Sequence, residues 1–202
     1  MKTHIVPHVE KRPEDWSAIP AIELDACLAK SPTTAFVEAR ICWSEEAFHV
    51  QLHAADEEIL ARYTKNTDPV WTDSCLEIFF SPMAGDGRYF NFECNPNGAV
   101  CFGFGYGRYD RIKLLPYTPV KELCSLQTNR VSDGWTVEYS MPESLIRLFF
   151  PTFRLKQGIT MRANFYKCGD DLQNHDERTW NPITNGKTDY HQPEFFGQLI
   201  FG

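Results

Sequence analysis

The chain has 202 residues, a formal net charge of −7 and a pI of about 5.4. Its 43% apolar and 14% aromatic residues are enough for one sizeable core. No basic run appears, which argues against nucleic-acid and anionic-membrane partners, and no apolar run reaches the roughly 18 residues that span a bilayer.

The first 16 residues, MKTHIVPHVEKRPEDW, contain no apolar signal-peptide core. A cytoplasmic location is therefore expected, and an extracellular or periplasmic one would require a signal that had been removed. The seven cysteines form no C-x-x-C pair. This pattern indicates neither a disulfide framework nor a zinc site and predicts small, buried hydrophobic residues.

Alternation of apolar and polar residues predicts strands along most of the chain. Asn95-Pro96-Asn97-Gly98 and Asp133-Gly134 are hairpin turn signals. Trp43 and Trp135 lie inside strand patterns and are expected in the core. The predicted strand regions are 34–43, 47–55, 75–80, 88–107 (two strands), 122–142 (a hairpin), 159–168 and 195–202.

Helix signals are few: one short segment at 56–63 and another at 142–150, which begins with Pro142. The pattern predicts an all-β fold, a two-sheet antiparallel β-sandwich of jelly-roll or immunoglobulin-like type with one or two short helices. We expect one domain over 1–202. Two segments, 106–121 and 169–194, have no regular pattern, and irregular connections of that length are usually functional.

Polar residues on one strand face and two loop tryptophans suggest a binding site. Glu77 alternates with Leu76 and Ile78, so it faces away from the core. Trp71 and Trp180 lie among polar residues in turn-rich segments. An aromatic face beside charged and amide groups suits a sugar ring, whose C–H groups pack on the indole while its hydroxyls find polar partners.

Several short motifs, taken in order, resemble carbohydrate-binding modules of family nine. They are W-x-D-S-x-x-E-x-F-x-x-P at 71–82, RYFNFECNPNGAV at 88–100, GWTVEYSMP at 134–142, RANFYK at 162–167, TWNP at 179–182 and HQPEFFGQLIF at 191–201. The resemblance implies a β-sandwich that binds sugars without catalysis, in the best-known members at the reducing end of a plant polysaccharide.

By motif position, the resemblance also implies site residues. Two tryptophans would clamp the sugar ring, and a carboxylate would bind its hydroxyls. The implied positions are Trp71, Trp180, Glu77, Arg88, Arg108, Asn164 and Asn181. A saccharide is thus the expected partner, in polysaccharide or oligosaccharide catabolism. The family also holds structural calcium, for which Gly169-Asp170-Asp171 and Asp56-Glu57-Glu58 are oxygen-rich candidates.

Four alternatives stay open from the residues alone. The polar strand residues could be solvated surface, with Glu138 and Arg162 as a cross-strand pair. Glu77, Glu93 and Glu138 could supply the two carboxylates of a glycosidase. Related sandwiches bind haem, for which Met141 or Met161 with His191 would be the ligands. His49 and His53 share a strand face and could bind a metal.

Overall fold

A computed structural model describes residues 1–27, 35–56, 58–114 and 119–202. Strands dominate these ranges, with two α-helices, α1 (Val120–Leu123) and α2 (Glu143–Arg147), and 3-10 turns at Val70–Thr72 and Pro193–Phe195. The strands are β1 (Thr3–Val6), β2 (Ala21–Glu23), β3 (Ala26–Cys27), β4 (Val37–Trp43), β5 (Ala47–Ala54), β6 (Cys75–Ser81), β7 (Tyr89–Cys94), β8 (Val100–Gly105), β9 (Arg111–Lys113), β10 (Gln127–Val131), β11 (Gly134–Pro142), β12 (Thr160–Cys168), β13 (Arg178–Thr179) and β14 (Gly197–Phe201).

The strands form two sheets, which confirms the predicted sandwich. The larger sheet has the order β1-β14-β12-β6-β7-β8-β9, with β13 and β3 paired beside β12. The smaller sheet has the order β10-β11-β5-β4-β2. Within the described ranges, β1 and β14 pair in parallel and the other strand pairs are antiparallel.

Alternation along the strands of the larger sheet places an apolar cluster on each of its two faces. The main core lies between the sheets and contains Leu76, Ile78 and Phe80 of β6. It also contains Trp43 and Trp135, as expected, at 3% and 1% exposure. A second cluster lies on the opposite face of the larger sheet. It includes Phe79, Tyr89, Tyr166, Tyr190 and Phe196, with Trp71 packed against it. Apolar side chains therefore cover part of each face of the larger sheet. Glu77 lies on the face away from the main core.

Both predicted turns connect the strands of hairpins: 95–98 joins β7 to β8, and Asp133-Gly134 joins β10 to β11. Gly98 has the positive φ of 74° that the β7–β8 turn requires. The helix predicted at 142–150 is confirmed as α2. The helix predicted at 56–63 is wrong for the described residues 58–63, which run without regular structure beside Asp73. The carboxylate of Asp73 accepts the backbone N–H groups of Arg62 and Tyr63, so an irregular path is stabilised instead.

Some predicted boundaries and pairs are also wrong. Residues 122 and 123, predicted as the start of a strand, belong to α1, and β1, β2, β3, β9 and β13 were not predicted. Glu138 and Arg162 lie in different sheets: Glu138 pairs with Arg12, whereas Arg162 donates to the carbonyl of Phe196. Three predicted segments, 34–43, 56–63 and 106–121, lie partly outside the described residues, at positions 34, 57 and 115–118.

Six of the seven cysteines are buried, as predicted, and Cys27 is exposed. Neither of the described α-helices has the length or the apolar composition to cross a bilayer.

Candidate functional site: a cavity on the face of the larger sheet

A cavity of about 680 Å³ opens on the face of the larger sheet that points away from the main core. Strand register builds its floor: Glu77 lies opposite Glu93, and Glu93 opposite Cys101, while Phe79, Asn91 and Gly103 align in the next row. Loops and strand ends complete the cavity. The lining residues outside these two rows are Trp71, Arg108, Tyr109, Arg111, Lys113, Cys168, Asp170, His175, Glu177, Thr188, Tyr190 and His191.

Glu77 is the most deeply buried carboxylate of the floor, at 2% exposure. Its Oε1 accepts a hydrogen bond from the Cys168 thiol at 2.8 Å, and its Oε2 has no hydrogen-bond partner among the described residues. Burial raises the pKa of Glu77 well above its usual value, and the charge of Glu93 raises it further. A buried polar atom without a partner is costly, so Oε2 is available to a ligand hydroxyl.

Glu93 lies beside Glu77 and has a different environment. Its Oε1 accepts a 2.5 Å hydrogen bond from Asn91 Nδ2. Burial raises its pKa to about 7, against the lowering effects of that hydrogen bond and of the positive charges of Arg111, Arg108 and Lys113. The floor thus holds two neighbouring carboxyl groups that do not readily carry two negative charges at neutral pH.

Arg111 is fixed in place at the edge of the floor. Its guanidinium lies over the Tyr89 ring at 5.7 Å from the centroid, and its Nη1 is 2.8 and 2.9 Å from the two ring nitrogens of His191. Burial, followed by the charges of Arg111 and Arg108, lowers the pKa of His191 to about 3, so this imidazole is neutral and can accept. Arg111 Nη2 has no hydrogen-bond partner among the described residues.

Gly103 makes room for these polar groups. A Cβ atom at this position would lie 2.4 Å from Asn91 Oδ1 and 3.0 Å from Arg111 Nε. Within the described ranges, Asn91 Oδ1 also lacks a hydrogen-bond partner. Around the glycine, the floor therefore presents an acceptor and a donor that a ligand bearing hydroxyl groups can satisfy together.

Aromatic side chains stand at both ends of the cavity. Trp71 belongs to the 3-10 turn before β6 and is partly buried against the second cluster. Tyr109, in the β8–β9 turn, is 95% exposed. Beside it, Arg108 forms an ion pair with Asp189 at 3.3 Å. The polar floor thus has aromatic groups at its rim, as saccharide sites do.

Of the seven predicted site residues, the structure brings together Trp71, Glu77 and Arg108. Trp180 is 4% exposed and packs in the main core against Phe165, so it does not line the cavity. The two tryptophans therefore do not face each other across one site. A core position is the stable one for Trp180 because its large apolar ring fills space between the sheets.

Arg88, Asn164 and Asn181 also lie outside the cavity. The guanidinium of Arg88 pairs with Asp86 and lies 4.9 Å from the Phe150 ring centroid, on the main-core side of the sheet. Asn164 Nδ2 donates to the carbonyl of Asn181, and Asn164 Oδ1 accepts from the Asn181 backbone N–H. These two amides satisfy buried backbone groups next to β12, which is a structural role.

Sequence reasoning did not assign Glu93, Arg111, His191, Asn91 or Tyr109 to the site. The signal for two of them was present, because extending the alternation of Glu77 across the β6–β7 hairpin places Asn91 and Glu93 on the same face. Arg111, Tyr109 and His191 come from the two irregular segments. Their positions depend on loop paths that periodicity does not describe.

The alternative functions find no support in this geometry. Met141 and Met161 are fully buried in the main core, whereas His191 lies on the other face of the larger sheet, so the three share no haem site. Glu138 lies in the smaller sheet. Glu77 and Glu93 are adjacent on one floor rather than on opposite sides of a glycosidic bond.

Apart from Asp170, which lines the cavity, the metal candidates seen in the sequence are engaged in other contacts where the structure describes them. His49 lies between the hydroxyls of Ser44 and Ser140, at 3.0 and 2.8 Å, and His53 lies 3.3 Å from Asp133. In the loop candidates for calcium, Asp56 pairs with Lys167 and Asp171 pairs with Arg62. Glu57 lies outside the described residues.

Comparison with known proteins agrees with this architecture. The model of carbohydrate-binding family 9 matches residues 13–201. The chain belongs to carbohydrate-binding family 9. Non-catalytic carbohydrate binding is therefore its class of function. None of the curated proteins matches the chain.

Solved structures of carbohydrate-binding proteins share the fold. A proposed carbohydrate-binding protein from Bacteroides uniformis is 26% identical, with a TM-score of 0.84 over 100% of this chain and 99% of its own. A family 9 module from Caldicellulosiruptor kristjanssonii, solved with cellotriose, is 13% identical, with a TM-score of 0.67 over 99% and 93%. A family 9 module from the same organism, solved with glucose, has the same identity and TM-score, over 100% and 96%.

Proposed function

We propose that this family 9 chain binds a saccharide in the cavity on the larger sheet, with hydroxyl groups on the floor and a sugar ring against Trp71. The observation that carries the proposal is the set of buried polar atoms without partners among the described residues. Glu77 Oε2, Asn91 Oδ1 and Arg111 Nη2 all belong to residues that line the cavity. A sugar has both donors and acceptors on adjacent carbons, so it can satisfy all three.

The length of the floor favours an oligosaccharide. Trp71 precedes the first residue of β6, whereas Tyr109 follows β8 at the opposite end of the ladder. Six residues of strand separate these ends, which is about 20 Å at roughly 3.3 Å per residue. Trp71 and Tyr109 are therefore too far apart to clamp one ring, and we propose that they contact different rings of one chain.

Saccharides bound by the similar modules are consistent with this ligand class. Those modules were solved with cellotriose and with glucose. By analogy, we propose β-linked glucose oligomers as the first ligands to test, and a role in polysaccharide or oligosaccharide catabolism beside a glycoside hydrolase. The analogy rests on the fold, and the contacts proposed above come from this chain's own residues.

The test is a glycan array followed by calorimetric titration with cellotriose and glucose. Glu77→Ala removes a buried hydrogen-bonding group, and a ligand hydroxyl left unsatisfied there costs on the order of 1–3 kcal/mol, so binding should weaken roughly 5- to 100-fold. Glu77→Gln keeps the shape and one acceptor and should weaken binding less. Trp71→Ala should abolish detectable binding of glucose.

The matched control is Glu138→Gln, which changes a carboxylate on the polar face of the smaller sheet, where it pairs with Arg12. This variant should bind like the parent. The proposal is wrong if Glu77→Ala and Trp71→Ala bind saccharides as tightly as the parent, or if the folded parent binds no saccharide on the array.

A further inference from the structure

One wall of the cavity carries a nitrogen-and-oxygen donor set that the saccharide proposal does not use. Asp170, His175 and Glu177 each offer one possible ligand atom, and these three atoms lie within 4.8 Å of one another. His175 Nε2 is 3.3 Å from Glu177 Oε1. All three residues line the cavity.

From this geometry we infer that Asp170, His175 and Glu177 form a binding site for a divalent transition-metal ion such as Zn²⁺. Ligand bonds to zinc of about 2.0–2.2 Å place the donors of a tetrahedral site a little over 3 Å apart. The observed spacing of up to 4.8 Å would have to shorten by side-chain rotation when an ion binds. One imidazole with two carboxylates favours zinc over calcium, which takes six to eight oxygen ligands.

The segment that carries the three residues is held firmly at both ends. The backbone N–H of Asp170 donates to the carbonyl of Trp71 at 3.1 Å, which fixes the entry of the loop. Lys167 and Arg178 pair across β12 and β13 and fix its exit. Within the loop, the carboxylate of Asp176 faces Lys167, with Oδ2 3.9 Å from Nζ. Donors on an anchored loop lose less conformational freedom when an ion binds.

Two further observations bear on this wall. Glu177 is buried, with 11% of its side-chain surface exposed, and its Oε1 lies beside the imidazole of His175. Glu77, whose Oε2 is buried without a partner among the described residues, lines the same cavity. A cation between Asp170 and Glu177 would offset this concentration of negative charge.

With three protein ligands, a tetrahedral ion would have a fourth position for a water or a ligand. Structural zinc sites are closed by four protein ligands, whereas three ligands and an open position are typical of sites that contact a water or a ligand. The inferred ion would thus stand at the rim of the saccharide cavity. The metal site itself does not depend on the saccharide proposal.

The experiment is a calorimetric titration of reduced, EDTA-treated protein with ZnCl₂ alone, followed by CaCl₂ alone. We expect one Zn²⁺ per chain and much weaker Ca²⁺ binding. Loss of even an outer-sphere partner of a metal site costs about 10- to 100-fold in affinity. His175→Gln and Asp170→Asn should therefore each weaken Zn²⁺ binding at least tenfold. Circular dichroism of each variant verifies the fold.

Two control variants distinguish this site from other donors. His53→Gln removes a histidine that faces Asp133 on the smaller sheet, and it should leave Zn²⁺ binding unchanged. Cys168→Ser removes the nearest thiol of a second donor group, Cys75, Glu77 and Cys168, and should also leave it unchanged. Loss of binding in Cys168→Ser but not in His175→Gln would overturn the assignment, as would absence of Zn²⁺ binding by the parent or equal affinity for Ca²⁺.

Saccharide titrations in EDTA separate the two proposals. Suppose that cellotriose binds in EDTA and that Zn²⁺ does not bind to the protein once EDTA has been removed. The metal inference then fails and the saccharide proposal stands. If Zn²⁺ binds and no saccharide does, the reverse holds.

Discussion

Replacing Glu93 by Gln should make the protein more stable at neutral and alkaline pH but not at acid pH. Glu93 is 5% exposed, and burial raises its pKa from 4.5 to about 7. Between these two values, the folded chain keeps the proton that the unfolded chain has already lost. Stability therefore falls as pH rises through this window and is lowest above the folded pKa.

The size of the effect follows from the two pKa values. A free-energy loss of about 1.4 kcal/mol for each pH unit between 4.5 and 7 amounts to about 3 kcal/mol. Gln is uncharged at every pH and keeps an oxygen to accept the hydrogen bond from Asn91 Nδ2. The pKa of Glu93 also depends on the positive charges of Arg111, Arg108 and Lys113. These groups remain in the variant, and so does the neighbouring Glu77.

Urea unfolding of the parent and of Glu93→Gln at pH 4.5, 6, 7 and 8 measures the difference directly. The two proteins should be nearly equal at pH 4.5, and the variant should be more stable by about 3 kcal/mol at pH 8. Glu138→Gln, in the smaller sheet, should show no such trend. A stability difference between parent and Glu93→Gln that stays constant with pH would refute the reasoning.

Three further predictions follow from packing and cavity geometry. Trp180→Ala should destabilise the fold by about 3–5 kcal/mol in urea unfolding, whereas Trp71→Ala, at the partly exposed rim, should cost less than half as much; equal losses would contradict the placement of Trp180 in the core. Gly103→Ala should weaken cellotriose binding at least tenfold in calorimetry, because its Cβ would lie 2.4 Å from Asn91 Oδ1; an unchanged Kd would mean that this part of the floor is not used. Tyr109→Ala should weaken cellotriose binding more than glucose binding, and Tyr106→Ala, which changes an exposed tyrosine outside the cavity lining, should change neither.

Alternation carried much of the fold prediction. Phe48, Val50 and Leu52 of β5 repeat every second residue, and all three are fully buried between the sheets. The same period put Glu77 on the face opposite Leu76, where the cavity lies. By contrast, β2, β3 and β13 have only two or three residues each. A run of that length cannot show a period, so these strands depend on neighbours that the local sequence does not reveal.

The site was predicted less completely for a physical reason. Trp71 and Trp180 have similar polar neighbours in the sequence, but one lies at the rim and the other in the core. Local composition cannot separate them, because burial of Trp180 depends on Gly197, whose missing side chain leaves space for the indole ring. Motif position alone likewise could not show that Arg88 turns toward Asp86 and Phe150.

The ladder that holds Glu77 opposite Glu93 also has a consequence for folding. If β6 slipped by one residue against its neighbours, Glu77 would move to the face that Leu76 and Ile78 now occupy, between the two sheets. A carboxyl group there would be buried among apolar side chains without a counter-charge, at a cost of several kcal/mol. The polar floor therefore penalises misregistered intermediates, and a chain with Leu at both 77 and 93 should populate kinetic traps that the natural chain avoids.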